Sequence, residues 1–321
     1  MKAARIGSPS GPGGLVIEEV PAPVPGPGQI RVQVRATALN RADLLQTLGL
    51  YPAPPGAPAD IPGLEYCGVV DALGAGVTRW QIGERVMGLV AGGAWAEQLI
   101  TDEREALRVP GQLSFEQAAA VPEAFLTAFD ALTLQGGMRA GQTVLIHAVG
   151  SGVGTAAVQW AQAVGAHTVG TARTGSKLER AKRLGLERAL LVEGGSPSFA
   201  AGVQADVALD LVGGNYLPET IEAMAPGGIV MLVGLTAGIH CELPLRTIMS
   251  RRLRIQGTTL RSRNVAEKIV LAEAFTAQVL PLFAEGKLVP VIGNTVKFAG
   301  LEGALQQLAA NDTFGKTVVI L

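Results

Sequence analysis

Three glycines, Gly150, Gly152 and Gly154, follow the apolar run Val144-Leu145-Ile146 and precede an alanine-rich stretch that runs to Trp160 and beyond. A strand, a glycine turn and a helix in that order bring backbone N–H groups close to a phosphate, with the positive end of the helix behind them. The chemistry this permits is the holding of a dinucleotide pyrophosphate, and hence redox chemistry. The motif is imperfect. A strict G-x-G-x-x-G ending at Gly154 needs glycines at 149 and 151, where the chain has Val149 and Ser151. A glycine-rich turn without a ligand is the other reading of the same residues.

The next strand carries a second chemical signal. Rossmann units that prefer NAD usually end it with Asp or Glu, which accepts hydrogen bonds from the ribose 2′-OH. Here it ends Gly170-Thr-Ala-Arg-Thr-Gly-Ser-Lys177, with no carboxylate before Glu179. Arg173 and Lys177 supply a guanidinium and an ammonium instead, which suit a 2′-phosphate and predict NADPH. The alternative is that both are surface charges opening a helix. Ser151, Gly152 and Val153 are expected at the pyrophosphate. Val212, Gly234, Leu235 and Thr236 close the fourth and fifth strands beside the ribose and nicotinamide, and Leu260 and Arg261 follow the sixth.

The elements that must position these residues are legible in the patterning. After Ser114, which can cap a helix with Gln117 as its capping-box partner, helix and strand alternate. Strands are expected at 143–149, 168–173, 189–193, 207–212, 228–235 and 253–260. Six strands in a βαβ rhythm predict an α/β fold with a doubly wound parallel sheet, its ligand at the carboxyl ends of the strands. The first ~120 residues read as β-rich and punctuated by Gly and Pro. Ile30, Val32 and Val34 alternate with Arg31, Gln33 and Arg35, a strand with one buried face, and further strands are expected at 67–73, 85–89 and 94–100. Residues 266–285 read as helix, 289–296 and 317–321 as strands returning to the N-terminal domain. The domains expected are 1–121 with 262–321, and 122–261.

The bulk properties narrow the function classes. With 26 Lys and Arg against 27 Asp and Glu, the formal net charge is −1, so nothing attracts nucleic acid or an anionic membrane in general. Residues 140–172 carry no charge, but His147, Gln159, Gln162 and the glycine turn interrupt them, and a buried strand with its helix explains the run better than a membrane span. The N-terminus has no apolar signal region. Two cysteines, Cys67 and Cys241, indicate no disulfide framework, fit a reducing cytoplasm and read as small buried hydrophobes. Three scattered histidines at 147, 167 and 240 argue against hydrolase chemistry.

Four further motifs occur in the order of one family: Ala38-Leu-Asn-Arg-Ala-Asp-Leu44, Pro62-Gly-Leu-Glu-Tyr-Cys-Gly68, Ala118-Ala-Ala-Val-Pro-Glu-Ala-Phe-Leu-Thr-Ala128 and Phe314-Gly-Lys-Thr-Val-Val319. With the glycine turn, they make the chain resemble, over essentially its whole length, the zinc-free quinone oxidoreductases of the medium-chain dehydrogenase/reductase superfamily. The similarity is greatest to the stress-induced NADPH quinone oxidoreductase branch, with zeta-crystallin a more distant relative. The resemblance implies a GroES-like catalytic domain, a Rossmann domain, a cleft between them and a homodimer.

Zinc-dependent relatives place a cysteine and a histidine where this chain has Asn40 and Leu64, and Pro122-Glu-Ala-Phe-Leu-Thr127 offers no third ligand. Leucine cannot ligate, and an amide oxygen is a poor zinc ligand beside thiolate and imidazole, so no catalytic metal is expected. Asp43 and Glu65 are assigned structural roles. Without a metal, an acceptor that is already electrophilic is the fitting substrate: a quinone, or an enone in a variant alkenal or enoyl reductase. The resemblance places Tyr51 and Asn40 in the substrate cleft, Tyr51 to donate a hydrogen bond or proton to the developing oxyanion, Asn40 to hold the substrate oxygen or a water. A tyrosine merely packing a proline-rich loop is the other reading of Tyr51. Thr127 is placed near nicotinamide and substrate, and Arg263 is a further substrate candidate or a surface charge. Relatives that bind NADPH use a lysine matching Lys177 and a tyrosine at the adenine end. That tyrosine is matched here by Val192, leaving Arg173 to stack on the ring. A non-catalytic cofactor-binding role, crystallin-like or nucleic-acid-binding, is the alternative class. Its only basic cluster, Arg251-Arg-Leu-Arg254, is short and reads as a strand end or interface rim.

Overall fold

A computed structural model describes residues 1–7, 14–193 and 197–321. They form two compact units, Met1–Leu126 with Leu260–Leu321, and Thr127–Thr259. The fold is a GroES-like β-rich unit plus a Rossmann-type unit with a doubly wound parallel sheet.

In the first unit the strand order is Ile292–Lys297, Lys316–Ile320, Gln29–Ala38, Glu65–Leu73, Arg85–Leu89 and Leu107–Arg108, with Gln98–Asp102 also pairing Gln29–Ala38. Strand Gln29–Ala38 shows the expected alternation. Ile30, Val32 and Val34 are buried in a cluster with Tyr66, Val70 and Val86, while Arg35 is exposed. The C-terminal strand pairs antiparallel with it, Val318 opposite Ala38, so residues from the two ends of the chain share one sheet. The strand expected at 94–100 is found as Gln98–Asp102. Residues 94–96 are held in irregular crossing bonds instead, Trp95 N–H to Pro62 and Ala4 N–H to Trp95. The stretch 266–285 divides into helices Val265–Gln278 and Leu280–Ala284, because Pro281 has no N–H to continue the first and suits the opening turn of the second. Cys67 is buried, and burial pushes its thiol up to about 12, which makes it inert as a nucleophile.

In the second unit six strands pair in parallel in the order Arg188–Leu191, His167–Ala172, Thr143–Ile146, Ala205–Asp210, Met224–Leu232 and Arg254–Gly257. In chain order this is third, second, first, fourth, fifth, sixth, the doubly wound arrangement whose strand order reverses beside the first strand. Buried on both faces, the sheet needs near-continuous apolar strands, which is why residues 140–172 look membrane-like. Among the described residues, no helix is long and apolar enough to cross a membrane. The sixth strand is an edge, exposed at all four positions.

Candidate functional site

At the end of the first strand of the second unit, Ala148 takes the left-handed conformation, φ 51°. It makes the tight turn that a glycine usually makes, which explains how the motif tolerates Val149. Helix Gly152–Val164 follows. Ser151 caps it, its Oγ accepting from Gly154 N–H at 3.0 Å, and leaves the N–H groups of the opening turn without intrahelical acceptors. A Cβ on Gly154 would lie 2.3 Å from the Ala148 carbonyl, so only glycine lets helix and strand meet this closely. Gly152 and Val153 are partly exposed at the helix start.

Arg173, exposed, leaves the end of the second strand, and Lys177, half-buried, stands on the first turn of helix Gly175–Lys182. The Lys177 stem lies over the glycine turn: a Cβ on Gly150 would come within 2.9 Å of its Cδ. The fold thus brings Lys177 to the turn, while Arg173 stands at the strand end, its charge acting on the Tyr216 phenol. Val192, 6% exposed, belongs to the core cluster that also holds Leu145 and Val169.

The fourth and fifth strands end against each other. Ala237 N–H donates to the Val212 carbonyl at 2.8 Å, and a Cβ on Gly234 would lie 2.4 Å from the Leu211 carbonyl. Asp210 fixes the turn, one carboxylate oxygen accepting from the N–H groups of Val212 and Gly213 at 2.8 Å each. Its other oxygen is buried with no hydrogen-bond partner among the described residues. Leu235 and Thr236 are exposed just beyond. A glycine cradle, a helix N-terminus and an oxygen left over for a donor, all at the carboxyl ends of parallel strands, fit a dinucleotide.

His147, which sequence reasoning leaves without a role, is buried in this unit. Thr220 Oγ1 donates to the Tyr216 carbonyl at 2.8 Å, so it accepts from His147 Nε2 at 2.8 Å. Nδ1, at 2.9 Å from Thr171 Oγ1, is then the acceptor, and the ring is neutral. Burial lowers the pKa of His147 from its ordinary 6.5, with Asp210 opposing. Below 6.5 the unfolded chain therefore takes up a proton that the folded chain excludes. Stability from this group is fully present above 6.5 and declines as the pH falls towards the folded-state value. Denaturation midpoints measured down to about pH 5 should fall, and the slope should shrink in His147→Asn.

In the first unit, Asn40 precedes helix Arg41–Thr47 and its side chain is engaged on both sides. Its amide donates to Glu65 Oε1 at 2.9 Å and to the Ala38 carbonyl at 3.3 Å, while its oxygen accepts from Lys316 Nζ at 2.5 Å. Lys316 also donates to the Leu39 carbonyl at 3.0 Å and pairs with Glu65 at 2.6 Å. Glu65, fully buried, accepts from Glu123 N–H at 2.9 Å at the start of helix Pro122–Phe129. Asp43 accepts from the N–H groups of Asn40 and Gly63 at 2.8 and 3.1 Å. Burial pushes its carboxyl up to about 7, opposed by the Asn40 bond and by Lys316. A direct bond from Asn40 to an acceptor oxygen would be made in exchange for one of these. Lys316 is the residue that sequence reasoning misses. A lysine heading the apolar strand Lys316–Ile320 is the signal that points to it.

Tyr51 follows that helix through Gly49, φ 71°. It is half-buried, and burial raises its phenol pKa, Arg261 opposing and Glu123 adding. The Arg261 guanidinium lies over the ring, Cζ 5.0 Å from its centre. Arg263 is half-buried in the turn closed by its N–H to the Leu260 carbonyl at 3.2 Å; Leu260 and Thr127 are buried. Leu64, 2% exposed, is a core residue. Among the described residues no group of three or more His, Cys, Asp or Glu side chains could hold a metal ion. An amide already bonded to an ammonium, beside a leucine, does not fit zinc.

Two family profiles match the chain, one described as an alcohol dehydrogenase GroES-like domain over residues 26–129, the other as a zinc-binding dehydrogenase over residues 152–276. A quinone oxidoreductase of Pseudomonas aeruginosa is 30% identical, with 99% of each chain covered. The spectinabilin polyketide synthase system protein NorB of Streptomyces orinoci is 35% identical over 98% of this chain, and the pikromycin polyketide synthase component PikAII of Streptomyces venezuelae 38% over 68%. The chain spans only 14% and 6% of those two proteins. Among solved structures, an NAD-dependent alcohol dehydrogenase superposes with a TM-score of 0.88 at 31% identity, covering 100% of both chains. A mycobacterial protein in complex with NADPH gives 0.87 at 25%, with 100% of both covered. The CurK enoyl reductase gives 0.88 at 26%, with 99% and 98% covered.

Proposed function

Because the chain belongs to the medium-chain dehydrogenase/reductase superfamily, we propose that it reduces quinones with NADPH and without a catalytic zinc. The observation that carries this reading is the Lys177 stem lying over the glycine turn, at a strand end that carries Arg173 and has no carboxylate. The description of one matching profile as zinc-binding is not carried over, because Asn40 and Leu64 stand where a thiolate and an imidazole would be needed.

Bound NADPH would supply a hydride. Ser151, Gly152 and Val153 would hold its pyrophosphate, Arg173 and Lys177 its 2′-phosphate, and the backbone from Val212 and from Gly234 to Thr236 its ribose and nicotinamide, with Thr127 nearby. Tyr51 would hold the acceptor and give a proton or hydrogen bond to its developing oxyanion. Its raised pKa keeps the phenol protonated at neutral pH, as a donor must be. Asn40, held by Lys316 and Glu65, would set the polar wall beside it. The reading includes a homodimer, supported by the exposed edge strand Arg254–Gly257 and by exposed Ile239, Leu245 and Met249 near it in sequence. It includes a reducing compartment such as the cytoplasm, consistent with two unpaired cysteines.

The test is the rate of NADPH oxidation with an ortho-quinone, alongside NADH at equal concentration. Fast turnover that prefers NADPH is expected. Tyr51→Phe should lower that turnover roughly 10- to 100-fold, with NADPH affinity unchanged. Similarity to the CurK enoyl reductase and to segments of polyketide synthases favours one second reading, an NADPH-dependent enoyl or alkenal reductase. Turnover of an enone but of no quinone would replace the first reading by the second.

A further inference from the structure

We infer that Arg261 is a positioning residue for Tyr51: it fastens the segment that carries the phenol and holds a fixed positive charge against the ring. This rests on the role proposed for Tyr51. It gives Arg261 a different task from the cofactor contact that its place after the sixth strand predicts.

Arg261 is 6% exposed, and its bonds reach three separate segments of the first unit. Nε donates to the Ala91 carbonyl at 2.9 Å, Nη1 to the Tyr51 carbonyl at 3.0 Å and Nη2 to Gln46 Oε1 at 2.5 Å. Gln46 in turn donates to the Ala59 carbonyl at 3.0 Å. One planar fork thus ties the end of helix Arg41–Thr47, the Tyr51 segment and the loop after strand Arg85–Leu89. An ammonium on a flexible stem presents a single point and cannot reproduce three divergent bonds.

The charge matters as much as the bonds. All three acceptors are neutral oxygens, so the guanidinium is balanced only at longer range. The ionisable groups facing it are Asp43, Glu123 and the Tyr51 phenol itself; those facing the phenol are Arg261 and Glu123. A buried cation over an aromatic face favours negative charge on that ring and on any oxyanion the hydroxyl serves. Arg261 opposes the burial that would otherwise make Tyr51 a poor proton donor.

The experiment uses the full chain and the variants Arg261→Met, Arg261→Lys, Tyr51→Phe and the double variant Arg261→Lys with Tyr51→Phe. Three readouts are NADPH affinity, the pH profile of kcat/KM with an ortho-quinone, and the tyrosinate absorbance titration of the cofactor-free protein, with Tyr51→Phe subtracted to isolate Tyr51. In Arg261→Met the Tyr51 titration and the basic limb of the pH profile should move up by about one pH unit. In Arg261→Lys they should move the same way by less, so that the test survives if the methionine variant does not fold. Quinone kcat/KM should fall roughly 10-fold in Arg261→Lys, with NADPH affinity within about twofold. On a Tyr51→Phe background the same change should cost under about threefold more.

Loss of NADPH affinity in step with kcat/KM would overturn the inference and return Arg261 to the cofactor. So would additive losses in the double variant, or an unmoved Tyr51 titration. If Tyr51→Phe alone leaves turnover intact, the Tyr51 reading itself has failed. If Tyr51→Phe is impaired while Arg261→Lys behaves as wild type, only the present inference has failed.

Discussion

Replacing Arg173 and Lys177 together by alanine is expected to raise the KM for NADPH about 100-fold while moving that for NADH by less than about threefold. The magnitude follows from two charge-assisted contacts to a phosphate, each worth about 1.5–3 kcal/mol, of which exposure of Arg173 leaves the lower end. About 3 kcal/mol is two decades in affinity. NADH has no 2′-phosphate, so it loses only the indirect effect of the Lys177 stem over Gly150. Steady-state KM values for both cofactors check this, and added salt should weaken NADPH more than NADH in the wild type. Equal losses for both cofactors would show that these residues serve the turn and not the phosphate. A preference for NADH in the wild type would remove the NADPH assignment outright.

Lys316→Met is expected to lower the stability of the first unit by about 3–5 kcal/mol, because it leaves a buried carboxylate without its cation. Lys316 and Glu65 are 5% and 0% exposed at the side chain and 2.6 Å apart, so water cannot take over the role of the ammonium. For a unit of this size that corresponds to a fall in Tm of roughly 10 °C. Adding Glu65→Gln should restore at least about half of the loss, since much of the penalty is the uncompensated charge. Thermal unfolding of the three proteins checks both statements. A single variant within about 1 kcal/mol of wild type would mean that the network contributes little to folding. The double variant also isolates the function of Asn40: with its oxygen no longer bonded to Lys316, the amide regains freedom to turn.

The Rossmann-type unit was largely legible in the sequence because its signals are local. Its strands are short apolar runs separated by helix formers, and the uncharged run 140–172 resolves into strand Thr143–Ile146, helix Gly152–Val164 and strand His167–Ala172. The strand ends shifted by a few residues, since the carboxyl ends open into turns such as those held by Asp210. The glycine motif looked defective because its tight turn falls on Ala148, whose left-handed backbone no residue pattern announces.

The first unit was less legible, for a physical reason. Lys316 meets Asn40 across 276 residues, and Arg261 meets Tyr51 across 210. Neither contact leaves a period or a spacing in the chain, because each is made by sheet pairing and loop packing that bring together segments far apart in the sequence. Composition, periodicity and motif order determined by themselves the layered α/β architecture, the glycine turn and the basic strand end beside it. Those are properties of neighbouring residues and of backbone preference. Only the tertiary structure decided that the Asn40 amide is saturated by a buried ion pair, that His147 is a neutral core residue, and that the Arg261 guanidinium faces a tyrosine. Burial and long-range geometry, not residue type, set the charge state and the partners of those groups.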